Sequence, residues 1–216
     1  KIYNELMPHV PGAVSPMIAC GRTVKKLHPD ATTIFIGPCI AKKAEAREPD
    51  LVGAIDYVLT FQEIQDVFNF AGIDPIKMEE STKDHSSRSG RIYARTGGVS
   101  DAVCSTVKYI NPQRNISVKT QQANGVRECK AMVNSLINGE TDANFFEGMG
   151  CVGGCVGGPK AIIDREKGKK HVDEYGDQAK YKTPIDNPYV IELLHRLGFD
   201  TIDDFLKNSD IFVRHF

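Results

Sequence analysis

The chain has 216 residues, 27 basic against 28 acidic side chains, a net charge of −1 and 41% hydrophobic residues. That is enough polypeptide for one large or two small domains with a real core, and the near-neutral balance excludes a dedicated nucleic-acid or anionic-membrane surface. No apolar run approaches the ~20 residues that a membrane span needs, so no membrane insertion is expected. No secretory signal is expected either, and six cysteines in that setting point to thiolates that bind metal in a reducing, cytoplasmic compartment rather than to disulfides.

In chain order, "SPMIACGRTVKKLHPD" predicts a helix capped by Ser15, with Pro16 at its first position and Met17, Val24 and Leu27 at helical spacing. "ATTIFIGPC" reads as a short buried strand ended by Gly37-Pro38, and "IDYVLT" as a second strand. "FQEIQDVFNFAG" predicts a helix with Ile64, Val67 and Phe68 inward and Gly72 as its stop. Residues 73–90 read as irregular, with "KDHSSRSG" as a surface loop, followed by a glycine turn and helix in "GGVSDAVCSTVKYI". "ISVKTQQA" is a third strand, and "GVRECKAMVNSLINGE" a helix with Val126, Cys129, Met132, Val133, Leu136 and Ile137 on one face. "ANFFEGMG" is a fourth strand that runs into "CVGGCVGGPK". Beyond residue 160, "DREKGKKHVDEYGDQAKYK" reads as charged and solvated. A helix follows from Asn187 and Pro188 to Gly198, and a last one opens like a capping box at "TIDDFLKN". The expected architecture is α/β, a mostly parallel four-stranded sheet flanked by helices over residues 1–160, with a charged loop and short helical tail over 161–216.

The cysteines divide into two groups. Cys104 and Cys129 sit within helical patterns and read as small buried hydrophobes, and core packing is favoured for Cys20. Cys39, Cys151 and Cys155 each fall at a strand end beside Gly or Pro, where parallel sheets place their ligands. Residues 145–160 hold six glycines, at 148, 150, 153, 154, 157 and 158. Glycine lets backbone N–H groups approach a bulky anionic iron–sulfur cluster, which explains a glycine-lined Cys-x-x-x-Cys better than packing does. Structural zinc favours four local Cys or His ligands, and no histidine lies near this pair in sequence. Three thiolates are one short of a cubane set. Either Cys20 is the fourth, or a cysteine preceding Lys1 in a longer protein supplies it.

These stretches resemble a known family. "GPCIAKKAEA" is similar to the second signature of the iron-only ([FeFe]) hydrogenases, in which Pro-Cys is followed by Lys and then Glu. "FFEGMGCVGGC" is similar to their third, and "ARTGGVSDAV" to a segment between the two. The first, Thr-Ser-Cys-Cys-Pro signature is absent, so the chain resembles one lobe of the catalytic domain, its C-terminal part. The resemblance implies that Cys39, Cys151 and Cys155 ligate the [4Fe–4S] part of the H-cluster. Cys155 would bridge to a diiron subsite carrying carbon monoxide, cyanide and a dithiolate. It implies that Lys42 sets its ammonium beside a cyanide, that Met149 packs against the diiron unit, and that Ser15 and Pro16 line the same pocket. Glu45 and Glu147 match family positions, with a plain structural role open for either.

The sequence also departs from the family. Gly37 stands where catalytic members have methionine, Pro11 lies near a proton-path serine, and "CVGGPK" is short. These departures are similar to the sensory or regulatory branch. The resemblance implies an iron hydrogenase in the full-length protein, with this segment inactive alone, and ferredoxin, another electron carrier or a fused signalling domain as partner. The alternatives are a non-catalytic iron–sulfur or cluster-assembly protein and a metal-free interaction module.

Overall fold

The structure, a computed structural model, describes residues 3–80, 85–113, 115 and 117–214. Helix α1 (Pro16–Leu27) starts at Ser15, whose hydroxyl accepts from the Ile18 amide at 3.5 Å, and leads through a short turn into β1 (Ile34–Gly37). A short helix α2 (Ala41–Glu45) follows Cys39, then β2 (Tyr57–Thr60) and α3 (Phe61–Ala71). Strand β1 pairs with β2 in parallel, Ile34 opposite Tyr57 and Gly37 opposite Thr60. Met17, Ile18, Leu51, Ala54 and Ile55 form the core beneath this pair, joined by Val14, Phe35, Ala46 and Val58. Gly21 is required there: a Cβ would stand 2.3 Å from the Ala54 carbonyl oxygen.

The second half begins with a helical turn, α4 (Arg88–Arg91), followed by α5 (Gly98–Ile110), β3 (Thr120–Asn124), α6 (Val126–Ile137) and β4 (Phe145–Met149). Strands β3 and β4 are also parallel, Thr120 opposite Phe145 and Asn124 opposite Met149. Helices α7 (Arg165–Asp177), α8 (Pro188–Arg196) and α9 (Ile202–Asn208) complete the chain. No helix of the described residues is long and apolar enough to cross a membrane.

The α/β character with parallel strands is as expected, but the four strands form two separate two-stranded sheets. Hydrophobic pattern marks a strand without naming its neighbour, and the helices between β2 and β3 carry the chain to a second sheet instead of extending the first. Other local expectations shift for similar reasons. The surface loop expected at 83–90 begins outside the described residues, and its later part is helical: Ser87 caps α4, and Ser87 and Ser89 are buried. Ile116, the first residue of the third expected strand, also lies outside the described residues, and regular pairing starts only at Thr120. Val67, Val126 and Ile137 face outward at the edges of their apolar faces.

The charged stretch after residue 160 is a helix woven into the rest. Asp164 caps α7 by accepting from the Glu166 and Lys167 amides, and Gly176 lies so close to Ile92 that a Cβ would stand 2.6 Å from its methyl. At the end of the chain, Ala13 bridges Val213, and the Arg22 guanidinium donates to the Ile211, Val213 and Asp50 carbonyls.

Two exposed carboxylates tie the first sheet to its helices. Asp56 accepts from Lys25 at 2.7 Å and from the amide and hydroxyl of Thr33, which hold its pKa down at about 2. Glu63 accepts from Lys43 at 2.8 Å and completes a capping box with Thr60, and is likewise held at about 2. Both values lie below the ordinary 3.8 and 4.5, so both groups stabilise the fold above that ordinary range. The contribution declines as pH falls through the folded values. The melting temperature followed from pH 6 to pH 2 should therefore fall most steeply below about pH 4. Asp56→Asn should lower it at neutral pH and shallow the acid decline.

Candidate metal centre

The parallel strands end at one functional edge. Strand β1 delivers Pro38 and Cys39 from its carboxyl end, and β4 delivers Gly150 and Cys151. After Cys151 the chain turns through Gly153 (φ +92°) and Gly154 (φ +82°) into a helical turn at Cys155–Gly157. The left-handed conformations at 153 and 154 strain any residue with a side chain.

The glycines of this loop are used against protein backbone. A Cβ on Gly154 would stand 2.7 Å from the Thr96 nitrogen, one on Gly157 1.9 Å from the Val152 oxygen, and one on Gly158 2.8 Å from the Pro38 oxygen. The Lys160 amide donates to that same Pro38 carbonyl at 3.1 Å. On the other side Arg95 bridges Gly154, and the Thr96 amide donates to the Gly153 carbonyl at 3.2 Å. The loop is thus clamped between the end of β1 and segment 94–96. Three of the six glycines, at 154, 157 and 158, thus serve close contact within the protein. Their absent side chains let three stretches of backbone touch, and that contact carries Cys155 to Cys39. Within this loop, only at Gly150 would a Cβ meet nothing within 4 Å.

The result is a convergence of thiols. Burial pushes the Cys155 thiol above its usual pKa, the Cys39 and Cys151 sulfurs push it further up, and the Lys42 ammonium and its own backbone N–H pull it down. Residues far apart in sequence therefore share one electrostatic neighbourhood. Among the described residues, no three His, Cys, Asp or Glu side chains lie close enough together to share a single metal ion. Zinc–sulfur bonds of about 2.3 Å demand such a tight set. Thiols that feel one another's charge across a wider gap suit a cluster with several irons, whose thiolate ligands also gain from nearby N–H groups and a cation. The donor set fits the implied iron–sulfur group.

Around the cysteines, Lys42 on α2 pairs with Glu45 one turn on, both half-buried. Met149 is half-buried, and its carbonyl accepts from the Gly125 amide at 2.7 Å. Ser15 caps α1 and Pro16 opens it, immediately before the core residues Met17 and Ile18. Glu147 is buried, with 4% exposure, and accepts from the Gly97 amide and from the amide and hydroxyl of Ser100, all at 2.7 Å. It fastens the start of α5 to β4 and is a structural carboxylate. Its charge, after burial, also raises the Tyr93 phenol.

The remaining cysteines lie apart. Cys20 is exposed on α1, off the stripe of Met17, Ile18 and Gly21, which corrects its core assignment. It is not among the groups that shift Cys155. Cys104 and Cys129 are half-buried rather than buried, and the Cys129 thiol donates to the Met149 carbonyl at 3.5 Å. Sequence reading missed Asn124 and the contact that the Ala94–Thr96 backbone makes with the cysteine loop. Neither carries metal-binding chemistry, and nothing in the sequence marked Asn124.

The chain matches the family described as iron only hydrogenase large subunit, C-terminal domain, over residues 1–159. It is 28% identical over 196 residues to iron hydrogenase 1 of Clostridium pasteurianum, covering 72% of this chain and 34% of that protein. It is 28% identical over 202 residues to the periplasmic [Fe] hydrogenase large subunit of Nitratidesulfovibrio vulgaris, covering 74% and 48%. The chain thus spans about a third to a half of the length of these curated relatives. Among solved structures, an apo [FeFe]-hydrogenase cysteine-to-histidine variant from Chlamydomonas reinhardtii superposes with a TM-score of 0.76 at 16% identity, over 100% of this chain and 72% of that one. A structure describing stepwise H-cluster assembly gives 0.75 at 17% identity, with the same coverage. The likeness to the solved structures is one of fold.

If backbone contact through the glycines sets the site, Gly157→Ala should destabilise the metal-free protein by about 2–4 kcal/mol in urea unfolding. Gly150→Ala, with open space around it, should stay within about 0.5 kcal/mol of the parent.

Proposed function

Because the chain belongs to the C-terminal domain family of the iron-only hydrogenase large subunit, we propose that it is one lobe of a hydrogenase catalytic domain, over residues 1–160, with a helical extension over 161–216. Cys39, Cys151 and Cys155 would hold the [4Fe–4S] part of the H-cluster, with Cys155 the residue that would also face the diiron subsite. The observation that carries this reading is the backbone contact that seats the Cys151–Cys155 loop against the end of β1, Gly158 and the Lys160 amide both on the Pro38 carbonyl beside Cys39. When bound, the H-cluster supplies the interconversion of protons and electrons with hydrogen, and the protein contributes binding, orientation and field. The cysteines must lose their protons to ligate iron, so loading the site releases protons.

Lys42 reaches this neighbourhood from α2 and holds a positive charge toward the Cys155 sulfur while paired with Glu45. A half-buried ammonium needs an anionic partner, and its placement suits a cyanide ligand as a second one. Met149, Ser15 and Pro16 shape the pocket wall. A sensory or regulatory role is supported by Gly37: a Cβ there would stand 2.8 Å from the Phe35 ring, so the methionine of catalytic members requires that ring to move. Pro11 is exposed and offers no hydroxyl to a proton path. The partner is ferredoxin, another electron carrier or a fused signalling domain. The location is cytoplasmic, a reading supported by six cysteines that form no disulfide.

A second reading, a non-catalytic iron–sulfur protein, is favoured by the Lys42–Glu45 pair, since that ammonium already has an anion. Infrared spectra of the matured full-length protein separate the two. Bands from bound carbon monoxide and cyanide are expected, and their absence overturns the hydrogenase reading. Lys42→Ala removes a charge-assisted hydrogen bond of about 1.5–3 kcal/mol, so it should weaken retention of the diiron unit about tenfold or more. Cysteine-held iron should stay unchanged in that variant, and undiminished infrared bands contradict the role of Lys42.

A further inference from the structure

We infer that Asn124 is a positioning residue that fixes the spacing of Cys151 and Cys155, a role that rests on the reading that this pair binds the cluster. Its carboxamide oxygen accepts from the Gly153 amide, midway between the two cysteines, at 2.6 Å, and from the Thr96 hydroxyl at 2.8 Å. The Thr96 amide in turn donates to the Gly153 carbonyl at 3.2 Å. Asn124, Gly153 and Thr96 therefore close a ring of three hydrogen bonds at the first of the two left-handed glycines that turn the chain toward Cys155.

Asn124 is itself held from two directions. It is the last residue of β3, in register with Met149, and its amide donates to Glu128 in the first turn of α6 at 2.8 Å. The oxygen that grips the loop is thus fixed to the same strand pair that delivers Cys151. The ring spans segment 94–96, β3 and the cysteine loop, three pieces that no regular strand pairing joins. A positive φ at Gly153 and Gly154 gives the loop freedom to adopt other turns, and the two hydrogen bonds to Asn124 select one. A carboxamide suits this place because it accepts two hydrogen bonds without adding negative charge beside thiolates.

The test uses the metal-free full-length protein and dibromobimane, which becomes fluorescent on bridging two nearby thiols. Peptide mapping identifies the Cys151–Cys155 bridge, and single-site labelling of the exposed Cys20 calibrates reactivity. Asn124→Ala should slow bridging relative to Cys20 labelling by about fivefold to tenfold, the worth of a lost hydrogen bond. Asn124→Asp retains the acceptor but adds a charge that slows each thiol by itself, so with bridging normalised to the single-site labelling rates of Cys151 and Cys155 it should match the parent. Bridging at the parent rate in Asn124→Ala, or equal slowing in both variants after that normalisation, overturns the assignment. In the unaltered protein the Gly153 amide should be protected from hydrogen exchange, and exchange at the rate of a free amide overturns it even if a variant does not fold. Anaerobic loading of the parent with ferrous iron and sulfide tests the underlying reading separately. No iron uptake overturns cluster binding, whereas the bridging and exchange results bear on Asn124 alone.

Discussion

The structure depends on a backbone contact that only glycine permits. Gly158 lies against the Pro38 carbonyl, the Lys160 amide donates to that same oxygen, and Gly154 lies against Thr96. Neither two-stranded sheet has a large interface with the other through regular pairing. A parallel pair of four- or five-residue strands is marginal alone, so each half needs its helices, and the cysteine loop is one of the places where the halves meet. The same contact that completes the fold at this edge brings Cys39 to Cys155. Stability and site geometry are therefore set by one set of atoms, which is why glycines crowd a region of such short length.

Charge follows from that geometry. Burial, with the Cys39 and Cys151 sulfurs nearby, holds the Cys155 thiol above its usual pKa. A cationic metal core reverses this by taking the place of the protons. Lys42 supplies the one nearby positive side chain that acts on Cys155, and Glu45 keeps it from being an unpaired charge. Glu147 conforms to a different logic. Buried three residues before Gly150, it meets amides and a hydroxyl at the start of α5 and serves the scaffold.

Much of this was legible in the residues. Ser15-Pro16, Asn187-Pro188 and Thr201 start helices through chemistry local to a few positions, and local chemistry reads directly from sequence. The cysteine motifs were legible because packing alone gives a thiol little reason to sit among glycines. Strand partners were not, since pairing rests on where long connections travel. Cys20 was misjudged because a helical stripe drawn from Met17 passes near it without including it. The backbone neighbours of Gly154, Gly157 and Gly158 were not legible, because close approach reads the same in sequence whether the neighbour is a cluster or another chain segment. Asn124 left no signal of its own, since the partners of its oxygen lie 28 and 29 positions away.

The central claim is that distant thiols share one iron-binding pocket. The direct measurement is iron bound per chain, with the cluster absorbance, after anaerobic reconstitution of the full-length protein and its single cysteine-to-serine variants. The account predicts that Cys39→Ser loses the cluster as fully as Cys155→Ser, while Cys20→Ser loads like the parent. A Cys39→Ser protein that binds iron as the parent does would contradict it.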